Sequence, residues 1–322
     1  MAIPGLLLVD KDPDWTSHDV VAKVRGLAGT RRVGHAGTLD PMATGLLIIG
    51  LESATKLLTF LVGENKTYTA TIRLGATTIT DDREGDILQM ADQAQVQSLT
   101  AETIEAALAG LRGEIMQVPS SVSAIKVDGQ RAYAKVRSGD EVKLAARPVT
   151  IHKFEITSDV RHVDGQFADV DVLVECSSGT YIRALARDLG EALGVGGHLT
   201  ALRRTKVGRY NVEQAARLEN ITRENLSILP SADAARQQFA ALELSEQDEI
   251  DLRHGKRLAA GDVVVVVMAV DQEFDRFVRH LLDLVDVGFT ACRPSVGDGI
   301  GRDHAFARHQ KHVAMKQVAK RV

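Results

Sequence analysis

Residues 66–75, KTYTATIRLG, alternate between apolar and polar side chains, and this pattern limits the possible folds more than any other in the chain. Four side chains share the apolar face: Tyr68, Ala70, Ile72 and Leu74. A two-residue period is typical of a strand with one buried face. Residues 167–176, FADVDVLVEC, alternate in the same way. Both segments therefore predict strands of a sheet that covers an apolar core.

Helical patterns lie between the predicted strands. Residues 16–29, TSHDVVAKVRGLAG, predict a helix that is capped by Thr16 or Ser17 and ends at Gly29. Residues 100–113 predict a second capped amphipathic helix, and residues 178–194 change from strand-like to helical periodicity. The order is too irregular for repeated βαβ units. The sequence therefore predicts an α+β fold with a mixed, largely antiparallel central sheet flanked by helices.

The chain of 322 residues is long enough for one large domain and a smaller one. The composition changes after about residue 235, so we expect the larger domain over residues 1–235. Residues 236–290 would form a small C-terminal module. Residues 291–322 would form a basic, flexible tail, since residues 300–322 contain six lysines and arginines and one aspartate.

Several classes of protein are disfavoured by the sequence. No apolar run approaches the roughly 20 residues of a membrane helix. The start, MAIPGLLLVDKD, lacks the basic residues of an export signal. Cys176 and Cys292 are far apart and have no metal-ligand spacing. We therefore expect a cytoplasmic protein without a metal site, disulfide framework or membrane partner.

Positive charge is clustered although the net charge is −4. Arg31 and Arg32 precede a glycine-rich loop, and residues 202–209, LRRTKVGR, contain four cations and no acid. Any one cluster could be a solvated face. Because phosphate contacts are local, the clusters together predict a polyanionic partner. The candidate RNA-binding residues are Arg31, Arg32, Arg203, Arg204 and Lys206.

The glycine-rich loop, within RRVGHAGTLDPMATGLLIIG (residues 31–50), holds Asp40 directly before Pro41. Glycines at 34, 37 and 45 permit tight turns, and proline restricts the residue that follows Asp40. Asp40 could simply stabilise its own loop. The lysine of a phosphate-binding loop is missing, and a metal held by His35 and Asp40 would lack further ligands. The remaining interpretation is a reactive carboxylate.

Two other side chains could act with Asp40. Tyr68 could be an ordinary sheet tyrosine, or its ring could stack against a nucleotide base. Arg183 lies in the first turn of a helix predicted to be capped by Gly179 or Thr180, where an anion would be favoured. It could instead be a surface arginine paired with Asp188 or Glu191. Arg187 falls on the same helical face as Arg183.

A carboxylate, an arginine, a stacking ring and basic flanks together suit chemistry on a base that has been turned out of folded RNA. Two other classes of protein compete with this interpretation. A non-catalytic RNA-binding protein would not need the complete set of Asp40, Tyr68 and Arg183. A glycosidase needs two carboxylates that flank the scissile bond, and the sequence shows no second acid in a comparable loop.

The chain resembles a known family, the TruB-type tRNA pseudouridine synthases. The resemblance covers about residues 5–230 and is carried by several motifs in order. They are GLLLVDK…TSHDVV, GHAGTLDPMATGLLIIGLESATK, KTYTATIRLGATTITDD, VPSSVSAIKVDGQRAYAKVRSG and SSGTYIRALARDLGEALGVGGHLTALRRTKVG. It implies isomerisation of uridine 55 in the tRNA T loop, without cofactor or metal. It implies no protein partner, and we expect a monomer.

The resemblance also implies roles for individual residues. Asp40 would attack C1′ of the ribose or promote glycal formation. Tyr68 would stack on the uracil and assist removal of the C5 proton, and Arg183 would pair with Asp40 and hold the phosphate of the flipped nucleotide. The other substrate-binding candidates are His35, which would keep the nucleotide flipped, together with Gly34, Gly37, Leu202, Lys11 and Arg187.

The chain departs from the family pattern in two places. The usual Lys-Pro-Xaa-Gly after the first strand is here Lys11-Asp12-Pro13-Asp14, which changes the expected backbone of that loop. Residues 251–262, DLRHGKRLAAGD, begin like the small PUA RNA-binding module, but the five-valine run that follows does not continue the likeness. We therefore expect a truncated or divergent PUA-like module over residues 236–290.

Overall fold

The computed structural model describes residues 3–120 and 144–239, the backbone of residues 126–127 and 130–131, and the single positions 247 and 250. The module expected over residues 236–290 lies almost entirely outside the described residues. The tail expected over residues 291–322 lies outside them as well. Both remain predictions.

The described elements alternate irregularly between strands and helices, as predicted. The strands are β1 Gly5–Lys11, β2 Val33–His35, β3 Thr44–Leu51, β4 Lys66–Leu74, β5 Ala76–Thr78, β6 Ile87–Met90, β7 Gly113–Gln117, β8 Lys126–Val127, β9 Gln130–Arg131, β10 Arg147–Ile156, β11 Arg161–Val163, β12 Phe167–Cys176, β13 Gly197–Val207, β14 Tyr210–Asn211, β15 Ala216–Arg217 and β16 Leu229–Pro230. The α-helices are α1 Ser17–Ala28, α2 Leu58–Val62, α3 Gln93–Gln97, α4 Ala101–Ala109, α5 Ile182–Ala192 and α6 Ser231–Gln238. Short 3₁₀ helices cover Glu52–Lys56, Val212–Gln214 and Leu218–Asn220. No helix among these described residues is long and apolar enough to cross a bilayer.

One large sheet organises the described part of the chain. Its main path runs β15-β1-β3-β13-β4-β12-β10-β7. The pairs β1–β15 and β3–β13 are parallel and the other pairs along this path are antiparallel. The predicted α+β fold with a mixed, largely antiparallel sheet is confirmed.

The alternating segments form neighbouring strands near the centre of this sheet. Strand β4 pairs with β12 on one side and with β13 on the other. The predicted apolar face of β4 is buried against the core, and α5 contributes Ile182, Leu185 and Leu189 to the same core. Strands β1 and β3 bury both of their faces, because a second apolar cluster covers the opposite side of the sheet there. The centre of the sheet is therefore a rigid support for the loops at its edge.

Helix ends agree with the sequence at α1 and disagree at α5. Thr16 caps α1 in a reciprocal pair of hydrogen bonds with Asp19, and Gly29 ends the helix in the left-handed conformation. At α5, the capping position is Tyr181 and makes no side-chain cap. The prediction of a cap at Gly179 or Thr180 was wrong, because the Thr180 hydroxyl donates to the Ser177 carbonyl instead.

Candidate active site

Asp40 lies in the connection between β2 and β3, residues 36–43, which we call the Asp40 loop. The hydroxyl of Ser17 accepts a hydrogen bond from the Leu39 amide at 2.9 Å and donates to the Leu39 carbonyl at 3.2 Å. The Pro41 carbonyl accepts from the Asp14 amide at 2.9 Å and from Nζ of Lys11 at 3.1 Å. The backbone on both sides of Asp40 is therefore fixed by other parts of the chain.

Lys11 supports this loop from beneath and does not face a substrate. Its side chain is fully buried, and Nζ also donates to the carbonyls of Asp12 and Trp15. Burial lowers the pKa of Lys11 to about 8, and the nearby Asp40 carboxylate is the largest opposing influence. The prediction that Lys11 binds substrate is corrected, because its donors are used by backbone carbonyls inside the protein.

Asp14, the last residue of the segment Lys11-Asp12-Pro13-Asp14, stands where the family pattern has glycine. Asp14 has φ of +66°, a left-handed conformation that glycine adopts without strain. Its amide donates to the Pro41 carbonyl, as described above. Asp14 therefore takes the backbone position that the family pattern assigns to glycine, at a cost in strain.

Arg183 joins Asp40 to a second carboxylate. Its Nε lies 3.0 Å from Oδ2 of Asp40 and its Nη2 lies 3.3 Å from Oδ1, so the pair is bidentate. On its other side, Nη1 donates to the Thr80 carbonyl at 2.8 Å and to Oδ2 of Asp82 at 3.2 Å. The Arg183 side chain is only 6% exposed, whereas that of Asp40 is 35% exposed. The carboxylate of Asp40 therefore opens toward solvent while the cation behind it is enclosed.

Arg183 pairs with Asp40, as the family resemblance implies. The alternative of a surface arginine paired with Asp188 or Glu191 was wrong, because Arg183 is buried and pairs with Asp40 and Asp82. Carboxylates and a carbonyl contact both sides of its guanidinium. Its expected contact with the phosphate of the flipped nucleotide stays a prediction.

Residues 78–86, TITDDREGD, form the acidic loop, in which four of nine residues are Asp or Glu, and this composition predicts an exposed segment. That prediction was wrong for Asp81 and Asp82, which are both buried. Oδ1 of Asp82 accepts from the Thr80 hydroxyl at 2.5 Å and from the Glu84 amide at 3.0 Å, while Oδ2 faces Arg183. Both carboxylate oxygens are satisfied. Sequence reasoning missed Asp82, and the only local signal was the Asp-Asp pair after the alternating strand.

Arg187 also lies against the acidic loop. It contacts Asp188 at 2.7 Å and Asp81 at 3.3 Å, and it donates to the Val118 carbonyl at 2.8 Å. Burial raises the pKa of Asp81, and the cation of Arg187 opposes that change. Arg187 therefore fixes the acidic loop to α5, and its role in substrate binding stays a prediction.

Tyr68 lies on the same side of the sheet as Asp40 and Arg204. Its side chain is buried, and burial raises the pKa of the phenol. The positive charge of Arg204 lowers this pKa, whereas the negative charge of Asp40 raises it further. Tyr68 is thus a neutral phenol at neutral pH that is close enough to Asp40 to be affected by its charge.

The remaining substrate-binding candidates surround this group. His35 packs edge-to-face against His18, with ring centroids 5.7 Å apart, and burial lowers the pKa of His35. Leu202 is buried on β13 opposite Ala70 of β4. A Cβ at Gly34 would lie 3.1 Å from Cδ1 of Leu58, so a larger residue there would require Leu58 to shift by a few tenths of an ångström. Their contacts with substrate stay predictions.

The candidate RNA-binding cations divide into exposed and buried groups. Arg31, Arg32 and Lys206 are exposed. Arg203 is partly exposed and forms a bidentate pair with Asp10, at 2.9 and 2.7 Å. Arg204 is 1% exposed, so the prediction that it binds RNA is corrected. Neighbouring residues of a strand point to opposite faces, so Arg204 points away from Arg203. Its guanidinium is enclosed by the protein and contacts the Asp40 loop.

Within residues 3–120 and 144–239, no three His, Cys, Asp or Glu side chains are grouped closely enough to hold an ion. The His35–Asp40 alternative therefore has no further ligand in this part of the chain.

A partly open aspartate, ion-paired to a buried arginine beside a buried tyrosine on a mixed sheet, defines the class of pseudouridine synthases. Family comparisons then specify the group. Residues 25–182 match the TruB family pseudouridylate synthase N-terminal domain, and residues 183–235 match the tRNA pseudouridylate synthase B C-terminal domain. The chain belongs to the TruB family of pseudouridine synthases.

Curated relatives and solved structures agree with this assignment. The chain is 60% identical over 259 residues to tRNA pseudouridine synthase B of Paenarthrobacter aurescens (strain TC1), covering 80% of this chain and 82% of the relative. It is 52% identical over 279 residues to the enzyme of the same name from Mycobacteroides abscessus, covering 87% and 92%. Two solved structures are similar in fold. They are an H/ACA RNP bound to a substrate RNA containing 2′-deoxyuridine (TM-score 0.56, 25% identity, covering 79% of this chain and 67% of that one) and a Cbf5-Nop10-Gar1 complex (0.54, 26%, 79% and 68%).

Proposed function

We propose that this pseudouridine synthase acts on tRNA and isomerises uridine 55 in the T loop. The observation that carries the proposal is the bidentate ion pair between Arg183 and Asp40, with the Asp40 side chain 35% exposed. A nucleotide must leave its stack to reach a carboxylate held in this way, at a cost of a few kcal/mol that stacking and phosphate contacts offset. The exposed cations Arg31, Arg32 and Lys206 would supply part of the attraction to phosphates.

The reaction is an isomerisation, so no atoms are gained or lost overall. The N1–C1′ bond breaks while Asp40 either bonds to C1′ or promotes loss of the C2′ proton to give a glycal. The uracil then turns and joins C1′ through C5, while the Asp40–C1′ bond breaks on the first route or C2′ regains its proton on the glycal route. The C5 proton must leave and N1 must gain a proton. Tyr68 would stack on the uracil and assist that transfer, and Arg183 would hold the carboxylate in line with the sugar carbon.

The second aspartate at this site does not favour a glycosidase. Such an enzyme places two carboxylates on opposite sides of one bond. Asp82 is 3% exposed and contacts the far side of the guanidinium that binds Asp40. It cannot reach the leaving group of a substrate bound at Asp40. A role as the partner of Arg183 fits its position better.

The domain arrangement and location are part of the same proposal. Residues 1–235 would form the catalytic domain, residues 236–290 a divergent PUA-like RNA-binding module, and residues 291–322 a basic tail. The enzyme would work in the cytoplasm, where its tRNA substrate is found, and as a monomer without a protein partner.

The direct test is to incubate the purified full chain with an unmodified tRNA transcript and to map pseudouridine by carbodiimide-dependent primer-extension stops. We expect one new stop, which reports pseudouridine at position 55. A transcript with cytidine at position 55 is the matched control and should give no stop. Stops only at other uridines would refute the position, and no stop at any uridine of the wild-type reaction would refute the activity on tRNA.

A further inference from the structure

Arg204 is a buried cation whose contacts join the two sides of the candidate active site. It lies on β13, between β3 and β4, and is 1% exposed. Its Nε donates to the Leu46 carbonyl at 2.8 Å. Its Nη2 and Nη1 donate to the carbonyls of Gly37 and Thr38 at 3.1 and 3.4 Å. One side chain therefore binds the Asp40 loop two and three residues before Asp40 itself.

The same side chain also approaches Tyr68. Arg204 and Tyr68 are direct partners in the antiparallel register of β13 and β4. Side chains of such a pair point to the same face and have Cβ atoms about 5 Å apart. Burial raises the pKa of the Tyr68 phenol, and the positive charge of Arg204 opposes that change. The guanidinium thus lies between the Asp40 loop and the tyrosine.

The backbone around Arg204 is shaped for this close approach. Gly45 is its partner in the parallel register with β3, and a Cβ there would lie 2.3 Å from the Arg204 carbonyl oxygen. Gly37 has φ of +88°, and a Cβ there would lie 3.6 Å from Nη1 of Arg204. Two glycines of the Asp40 loop and the adjoining strand therefore lie against one arginine.

The charge of Arg204 is not cancelled nearby. Among the residues that the structure describes, the hydrogen-bond acceptors of its side chain are carbonyls, and no carboxylate forms an ion pair with it. A buried cation without a carboxylate is expensive, and an apolar side chain of similar volume would pack there at lower cost. The position of this charge, between a loop and a phenol, suggests a use in the reaction.

We propose that Arg204 is a positioning residue for pseudouridine formation, which holds the Asp40 loop and the Tyr68 hydroxyl in one fixed geometry. This inference rests on the proposed function. It acts through Asp40 and Tyr68, because its guanidinium is enclosed and does not reach solvent. In the absence of Arg204 the Asp40 loop and strand β4 would each keep their fold, but the distance and orientation between Asp40 and Tyr68 would vary more.

The test compares Arg204→Gln and Arg204→Lys with wild type in single-turnover reactions on tRNA, with enzyme in saturating excess. Under these conditions the rate does not depend on the fraction of enzyme that is folded. We expect Arg204→Gln to lower this rate about 100-fold, since a displacement of about 1 Å of reacting groups has effects of that size. Arg204→Lys should be intermediate, and the Kd for tRNA should not change.

A second measurement separates positioning from a merely structural role. In protein labelled with ¹³Cζ-tyrosine, the Tyr68 resonance, assigned with Tyr68→Phe, should move in both Arg204 variants. The matched control is Arg73→Lys, at the opposite end of β4, where Arg73 pairs with Asp169 at 2.8 Å. That variant should leave both the rate and the Tyr68 resonance unchanged.

Each outcome decides the question. A wild-type rate and an unmoved Tyr68 resonance in folded Arg204→Gln would overturn the proposal. Weaker tRNA binding with a normal saturating rate would show instead that Arg204 contacts RNA. If Arg204→Gln does not fold, Arg204→Lys decides, and a wild-type rate in that variant overturns the proposal. An inactive wild-type enzyme would refute the proposed function and not the role of Arg204 within it.

Discussion

The Asp40 loop and the acidic loop each present an aspartate to the guanidinium of Arg183, but the two carboxylates have different surroundings. Asp40 has its backbone fixed on both sides, and among the described residues its carboxylate is bound by Arg183, with 35% of the side chain exposed. Asp82 has both carboxylate oxygens satisfied inside the protein and is 3% exposed. The same residue type is available for reaction in one loop and serves as a support in the other, because burial and hydrogen bonding differ.

The largest effect should follow from Asp40→Asn, which removes the open carboxylate and keeps its shape. We expect single-turnover pseudouridine formation to fall by about 10³-fold or more, the scale seen when a nucleophile is removed. Binding of tRNA should be equal or tighter, because a negative charge near phosphates is lost. Gel-shift binding and primer-extension mapping measure the two quantities. Asp169→Asn, on β12 where Asp169 pairs with Arg73, is the matched control. Retained turnover in Asp40→Asn would exclude Asp40 from the chemistry.

Arg183→Lys tests the shared cation. Lysine keeps the charge but cannot contact Asp40 through two nitrogens and Asp82 through a third, so turnover should fall about 10²-fold. The salt dependence of tRNA binding should not change, since the guanidinium is enclosed. Arg31→Gln, which changes an exposed cation, should reduce the salt slope by about one. A reduced salt slope in Arg183→Lys would instead support the phosphate contact that the family resemblance implies.

Asp82→Asn should have a smaller effect on turnover than either change above. The amide cannot accept from Arg183 and the two loop donors as the carboxylate does, so the guanidinium would lose its fixed orientation. We expect turnover to fall about tenfold and the free energy of unfolding to fall by about 2 kcal/mol. Urea denaturation and single-turnover rates measure these. If Asp82→Asn were as inactive as Asp40→Asn, the assignment of reaction to one loop and support to the other would be wrong.

The smallest effect concerns two left-handed aspartates, Asp14 and Asp81, with φ of +66° and +58°. Asp14 is exposed, so Asp14→Gly should relieve strain and stabilise the protein by up to about 1 kcal/mol. Asp81→Gly should destabilise it, because the contact with Arg187 at 3.3 Å is lost. Urea unfolding followed by fluorescence of the single tryptophan, Trp15, compares them. Destabilisation by Asp14→Gly would show that the Asp14 side chain contributes to the stability of the folded protein.

The sequence was most informative where a pattern is local. The alternation in residues 66–74 predicted both the strand and its buried face, since a side-chain period of two is a property of the backbone. The cap of α1 followed from Thr16 and Asp19 in the same way. Asp40 was identified because Pro41 and the surrounding glycines are unusual, and the family resemblance then indicated its partner Arg183.

The sequence was misleading where charged residues were interpreted without knowing which face of the sheet they occupy. Residues 202–209 suggested an exposed basic cluster, but β13 points Arg203 to Asp10 and turns Arg204 inward. The acidic loop suggested a solvated surface, yet its two aspartates are buried against Arg187 and Arg183. A charged side chain can be buried when a distant partner or a set of carbonyls satisfies it, and such a partner cannot be identified from neighbouring residues.

By itself the sequence determined the class of fold, the strands and helices with clear periodicity, and the loop that carries the candidate catalytic carboxylate. These depend on backbone geometry and on interactions among residues that are close in the chain. Only the tertiary structure decided that Asp82 shares an arginine with Asp40, that Lys11 and Arg204 support the loop from inside, and which cations remain outside. Those outcomes depend on how strands far apart in sequence are paired, because pairing determines which charges are removed from water together.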